Sequence, residues 1–267
     1  QQLDRERSVM YLEKFKQDFS ERIMFNLGPH AIYTVSGEQL KYCHDFCRKH
    51  QLKMHLHLSE TEGEVERCVA EHGLRPVKYL EQLGVLSDSL ILAHVIWVDD
   101  EEMDLLAKYD VAVVHNPASN MKLASGYKFK YEEMKERGIR IGLGTDGCSS
   151  SNNLDMFTAM RLASFLGKVW RFDSTAVSTS VGADILGLKA GKIEEGYLAD
   201  LCLVDLNRPE MVPVHNLTSN LVYSASGAFV DTVICDGRIL MQGGHVEGEE
   251  EIIREARRVA ARLVPKN

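Results

Sequence analysis

The chain has 267 residues, 45% of them hydrophobic, and a formal net charge of -8. That apolar content can bury one large core, alone or beside a smaller unit, while an acidic balance without a basic cluster disfavours nucleic acid or an anionic membrane as the main partner. No apolar run approaches the ~20 residues of a membrane span, and six scattered cysteines without a disulfide framework suit a reducing, cytoplasmic setting.

Residues 4–19 alternate charge with Val9, Met10, Leu12 and Phe15 at helical spacing, without an initiating methionine. From there a strand-then-helix rhythm sets in. "RIMFNLGPH" reads as a strand ending at His30 and "GEQLKYCHDFCRKHQL" as a helix. "KMHLHLSE" is a strand, followed by helical "EGEVERCVAEHG" and "RPVKYLEQLGV". "SLILAHV" is a strand and "DDEEMDLLAKYD" a helix; "VAVVHNP" is a strand, then come a loop and the helix "YEEMKERG". "IRIGLGTDG" is a strand and "NLDMFTAMRLASFLGKV" a long helix. Five βα units in succession, with strands that are near-continuous apolar runs, are the pattern of a parallel sheet buried on both faces.

Each of these strands ends on a chemically capable residue: His30, His57, His94, His115 and Asp146. Polar residues gathered at the carboxyl ends of successive parallel strands are the arrangement of a (β/α)₈ barrel. A doubly wound open sheet is the competitor, but it would not load every strand in this way. A closed barrel needs eight strands, so three are expected to be missing from the front. Residues 1–190 are therefore read as the C-terminal portion of a barrel. Residues 191–246, with "GKIEEGYLADLCLVDL", "SNLVYSASG" and "VDTVICDGRILMQGGHV", read as a β-sandwich segment with a turn at Asp236-Gly237, and 247–267 as a closing helix.

In "HLHLSET", His55 and His57 share one face of a strand and Glu60 lies just past its end. With His94, His115 and Asp146, this offers imidazoles and carboxylates around one mouth, a set that suits zinc or another divalent metal activating water, with glutamate to carry protons. Other groups have plainer readings. His44, His50 and His72 sit on helices and read as surface residues, and His215 and His245 as structural. Cys43 and Cys47 are one helical turn apart, which places them on an apolar face and not in a metal site. Cys148, beside Asp146, reads as packing in a tight loop.

The motifs "GPHAIYT", "HLHLSET", "LAHVIWVDDEE", "HNPASNMKLASG", "GTDGCSSSNNLDM" and "GKIEEGYLADLCLVDL", in this order, resemble the amidohydrolase superfamily. The similarity is greatest to its branch of 5-methylthioadenosine, S-adenosylhomocysteine and 5′-deoxyadenosine deaminases, and it runs over essentially the whole chain. The resemblance implies a distorted (β/α)₈ barrel, a β-sandwich built from both chain ends, and one divalent metal, zinc with iron or manganese as alternatives. It assigns His57 and Asp146 as metal ligands, and Glu60, His94 and Asp146 as catalytic groups. His30, Glu60, Ser150 and Arg5 would contact the substrate. The implied reaction is hydrolytic deamination at C6 of a purine: Asp146 takes the proton of the attacking water, Glu60 protonates the adjacent ring nitrogen, the proton is then passed to the leaving amine, and ammonia departs.

The sequence departs from that pattern in three places. The family's His-x-His of strand one is absent; His55 and His57 are not that pair, because "GPHAIYT" precedes them and Glu60 follows, so His55 is expected to be structural. "FDSTAVSTSVGADILGL" is shorter than in relatives near Val177-Ser178, and Tyr127, Lys128 and Phe129 replace a common Ile-Ala-Pro run. The expected function is an adenosine-type deaminase acting on a small nucleoside, with guanine or pterin deamination or triazine hydrolysis as alternatives that keep the same metal and glutamate. A metal-free barrel fragment with a binding role is the third reading. Family members often associate as dimers or tetramers, so a homo-oligomer is expected.

Overall fold

The structure, a computed structural model, describes residues 5–18, 22–126, 128–169 and 179–263. The expectations that concern Tyr127 and Val177-Ser178 lie outside the described residues, as does the side chain of Arg5. The chain divides into two compact units, Gln1–Leu188 and Lys189–Asn267.

The first unit opens with helix α1 (Arg5–Asp18), of whose expected apolar positions Leu12 is buried while Val9 and Met10 are about half exposed. Helix α2 (Gly37–His50) is capped by the Ser36 side chain and buries Leu40, Cys43, Phe46 and Cys47 along one stripe. Burial along this apolar stripe pushes both thiols up to about 11. Strand β1 (Met54–Leu58) leads to α3 (Glu62–His72), capped by Thr61, and α4 (Pro76–Leu83). Strand β2 (Leu90–His94) is followed by α5 (Asp100–Lys108), which starts in a reciprocal capping box between Asp99 and Glu102. After β3 (Ala112–His115) come α6 (Pro117–Lys122) and α7 (Tyr131–Glu136), and after β4 (Ile141–Leu143) come α8 (Cys148–Ser151), α9 (Met156–Val169) and α10 (Thr179–Leu186).

The four strands form one parallel sheet in the order β1-β2-β3-β4, so each strand lies beside the next in sequence. Met54, Leu56 and Leu58 of β1 join Leu90, Leu92 and Val113 in the core against the covering helices. The expected strand ending at His30 is reduced to two isolated parallel bridges, Leu27 with Met54 and Ala31 with His57. Pro29 lies between them, has no N–H to donate, and interrupts the ladder. The stretch expected as a loop after His115 is helical instead, because Pro117 occupies the first helical position, where its missing N–H costs nothing.

The second unit is an antiparallel sheet in the order β5-β6-β7-β8, made of β5 (Leu201–Val204), β6 (Val230–Cys235), β7 (Arg238–Gln242) and β8 (His245–Val246). Asp236 and Gly237, both at positive φ, make the β6–β7 turn as read from the sequence. "SNLVYSASG", expected to be β, is mostly helix α11 (Leu217–Tyr223): the Asn216 side chain accepts from Ser219 N and starts a helix that β-branched content alone would not signal. Helix α12 (Glu249–Leu263) ends the unit. Among the described residues no helix is long and apolar enough to cross a membrane.

Candidate active site at the carboxyl ends of the parallel strands

The two faces of β1 divide the work. Leu56 and Leu58 point into the core, and the alternate residues His55 and His57 point the other way. At the ends of β1, β2 and β4 the backbone turns through left-handed conformations, at Ser59 (φ 51°), His94 (φ 74°), Val95 (φ 50°) and Asp146 (φ 59°). A left-handed β-branched residue such as Val95 is costly and persists only where surrounding bonds over-determine it. Here Val95 N donates to Leu58 O at 3.0 Å, and Ile96 N and Trp97 N both donate to Ser59 O at 3.0 Å.

These turns bring together four of the residues singled out from the sequence. His94 Nε2 lies 3.8 Å from Glu60 Oε2 and 3.9 Å from Asp146 Oδ2, and the rings of His57 and His94 stack at 5.3 Å. His57 Nδ1 donates to His30 O at 2.8 Å. A carbonyl only accepts, so Nδ1 carries a proton, and in the neutral ring Nε2 is the nitrogen with the lone pair. His94 Nδ1 is bound in the same sense to Asn120 Oδ1 at 2.7 Å, and both residues are about 1% exposed. Burial pushes His94 below the ordinary imidazole range, against the opposing pull of Glu60, Asn120 and Asp146, so it is neutral at pH 7.

Asp146 is held ionised. Burial alone would raise its carboxyl, but Ser119 Oγ donating to Oδ2 at 2.6 Å, Gly147 N donating to Oδ1 at 2.7 Å and the two histidines bring it below its usual value. Glu60 is placed by its own turn: the buried Glu64 carboxylate accepts from Ser59 N at 3.0 Å and from Glu60 N at 2.9 Å. Its Oε1 accepts from Ser125 Oγ at 2.8 Å.

The donor set suits a divalent metal: an imidazole whose Nε2 is freed by a backbone hydrogen bond, and a carboxylate kept charged. It is a partial set, since among the described residues no three His, Cys, Asp or Glu side chains are grouped to hold an ion by themselves.

The remaining expected residues are less central. His30 orients His57 through its carbonyl, while its exposed ring bonds Thr34 Oγ1 at 2.9 Å and lies 5.2 Å from the His57 ring. Ser150 is half-buried on α8, directly after Asp146. His55, expected to be a packed structural residue, is exposed on the face it shares with His57. His115, a candidate from its strand-end position, is buried and stacked on Phe129 at 4.2 Å, so it supports the site from behind.

Four groups that now matter had no assigned role in the sequence: Glu64, Ser119, Asn120 and Ser125. The Thr61-x-x-Glu64 spacing before a helix is a readable capping signal, although Glu64 uses it to fasten Glu60. Ser119, Asn120 and Ser125 stand in "HNPASNMKLASG", and only their reach across to other strands gives them a purpose. Gly144 belongs with them: a Cβ there would lie 2.4 Å from Asn116 Oδ1 and 2.9 Å from Val114 Cγ1, so any larger residue would have to displace these side chains at the β3–α6 corner.

Known proteins resemble this chain in sequence and in fold. The 5′-deoxyadenosine deaminase of Methanoregula boonei is 47% identical over 253 residues, covering 92% of this chain and 57% of its own length. The 5-methylthioadenosine/S-adenosylhomocysteine deaminase 1 of Archaeoglobus fulgidus is 42% identical over 268 residues, covering 96% and 62%. The chain thus spans about three-fifths of the length of these relatives. An adenosine deaminase from Xanthomonas campestris, solved with bound zinc, superposes with a TM-score of 0.90 at 31% identity, over 97% of this chain and 61% of that one. An atrazine chlorohydrolase from Arthrobacter aurescens has a TM-score of 0.84 at 22% identity over 94% of this chain and 59% of its own, a likeness of fold alone. The amidohydrolase family profile matches residues 2–240, and the chain belongs to that family.

Proposed function

We propose that this chain belongs to a metal-dependent hydrolase that deaminates an adenosine-type nucleoside, such as S-adenosylhomocysteine, 5-methylthioadenosine, 5′-deoxyadenosine or adenosine. The observation that carries the reading is the convergence of His57, Glu60, His94 and Asp146 at the carboxyl ends of strands β1, β2 and β4. The relatives' names as deaminases support the substrate class. On this reading, residues 1–190 are the C-terminal portion of a distorted (β/α)₈ barrel, supported by the unbroken β1-β2-β3-β4 parallel order. Residues 191–246 contribute to a β-sandwich and residues 247–267 are its closing helix. The six cysteines, all free, fit a cytoplasmic setting, and the protein acts as a homo-oligomer.

His57 Nε2 and Asp146 would hold one divalent metal, zinc in the first instance. When bound, that metal lowers the pKa of a water toward about 7. His94, neutral with its proton on Nδ1, offers Nε2 as an acceptor that turns the attacking water toward the ring carbon. Asp146, kept ionised by Ser119 and Gly147, takes the proton that the water loses. Glu60 protonates the ring nitrogen beside the amino-bearing carbon, which withdraws electrons from that carbon; Asp146 then passes the proton it took to the leaving amine, and Glu60 recovers a proton from the hydroxyl that becomes the oxo group. Water and the amino purine become the oxo purine and ammonia. His30, Ser150 and Arg5 would contact the nucleoside.

The test is the ultraviolet spectrum of S-adenosylhomocysteine incubated with the purified full-length protein and zinc or manganese. Conversion of the adenine chromophore to hypoxanthine is expected. No conversion of this or the other three nucleosides would overturn the reading, and turnover of guanine, a pterin or a triazine instead would keep the metal chemistry and replace the substrate.

A further inference from the structure

Glu60 is fastened twice. Its backbone is fixed by Glu64, and its side chain by a residue 65 positions further along, Ser125, whose Oγ donates to Oε1 at 2.8 Å. Ser125 is only 4% exposed, and every other polar group on it is committed. Its N–H donates to Asn120 O at 3.0 Å, and its carbonyl accepts from the Trp97 indole Nε1 at 2.7 Å. Trp97 is held in turn: its carbonyl accepts from Arg75 Nη2 at 2.8 Å, and Arg75 Nε donates to the fully buried Glu102 at 2.8 Å. The next residue, Gly126, runs beside the same indole: a Cβ there would come within 3.0 Å of Trp97 Nε1 and 2.9 Å of Ile96 Cγ2, so a larger residue would crowd the ring that holds Ser125.

A carboxylate that carries a proton from one atom of a substrate to another loses efficiency if it spins, because each turn exchanges the loaded and unloaded oxygens. The Ser125 hydroxyl takes one lone pair of Oε1. The other oxygen, Oε2, is the one 3.8 Å from His94 Nε2, facing the reacting centre. We propose that Ser125, clamped by Trp97, is a positioning residue that stops rotation of the Glu60 carboxylate and keeps Oε2 as the proton-carrying oxygen. This rests on the reading of Glu60 as proton carrier given above.

The test uses the full-length, zinc-loaded protein. Ser125→Ala is expected to lower kcat roughly ten- to a hundred-fold, the range for a misplaced catalytic group, with KM, zinc content and thermal midpoint close to wild type. In a Glu60→Gln background, measured on its residual rate, the same change should alter kcat less than about two-fold, because side chains that act as one unit are not additive. An equal loss in both backgrounds assigns Ser125 a merely structural part and overturns the proposal, as does an unchanged kcat. A crystal structure of Ser125→Ala decides the matter without turnover: the Glu60 carboxylate should leave its position while Glu64 and His94 keep theirs, and an unmoved Glu60 sinks the idea. If the wild-type protein deaminates none of the nucleosides, the deaminase reading fails, and the crystallographic comparison still judges whether Ser125 holds Glu60.

Discussion

Replacing His115 by phenylalanine tests how the buried back of the site depends on pH. His115 ends β3, is 6% exposed, stacks on Phe129, and its Nδ1 has no hydrogen-bond partner among the described residues. Burial, with a smaller push from His94, lowers its pKa from 6.5 to about 3. The native state therefore keeps His115 neutral, while the unfolded chain protonates it below about pH 6.5. Between those values the unfolded state binds the extra proton, so the contribution to stability is whole above pH 6.5 and is lost as pH falls toward 3. At about 1.36 kcal/mol per pH unit the loss is about 2 kcal/mol at pH 5 and about 4 kcal/mol by pH 3. Phenylalanine keeps the stacking and removes the titration. Urea unfolding of the purified protein at pH 7.5 and pH 5.0 should show the wild type losing about 2 kcal/mol more than His115→Phe between the two conditions. Equal losses would refute the reasoning, and so would an NMR titration of the His115 ring with a midpoint near 6.5.

Glu60→Gln should retain zinc, measured by elemental analysis, and lose most turnover; unchanged turnover removes Glu60 from the mechanism. Asp146→Asn should weaken both zinc retention and rate, and full occupancy at a normal rate contradicts its assignment. Asn120→Ala leaves the buried His94 Nδ1–H without its acceptor, which costs about 1–3 kcal/mol; a thermal midpoint and kcat both equal to wild type would show that His94 needs no such anchor. Gly144→Ala forces a methyl to within 2.4 Å of Asn116 Oδ1 and should destabilise by about 1–3 kcal/mol, so an unaltered urea midpoint would mean that the β3–α6 corner yields freely.

Much of the candidate site's layout was legible in the sequence. Apolar runs that end in His57, His94, His115 and Asp146 have a simple cause: a parallel strand packed into a core carries its polar groups mainly where it stops. The helices α2, α3 and α5 were equally readable from apolar spacing and from Ser36, Thr61 and Asp99 at their starts. Local pattern failed where a single residue outweighed it. Pro29 breaks the strand before α2, Pro117 opens a helix where a loop was expected, and Asn216 caps a helix in a stretch of β-formers.

The sequence by itself determined which chemistry is available, because residue type and strand-end position depend only on local order. Tertiary structure alone decided how those groups are used. His115 and His94 look alike in the chain, yet one is walled in behind Phe129 and the other lies within 4 Å of two carboxylates. Ser119, Asn120 and Ser125 are ordinary small polar residues in "HNPASNMKLASG", and they become the anchors of Asp146, His94 and Glu60 only because parallel pairing sets β1, β2, β3 and β4 side by side. Hydrogen bonds that span 26 to 65 residues carry no signature in local sequence, since what selects them is the spacing of strands in a folded sheet.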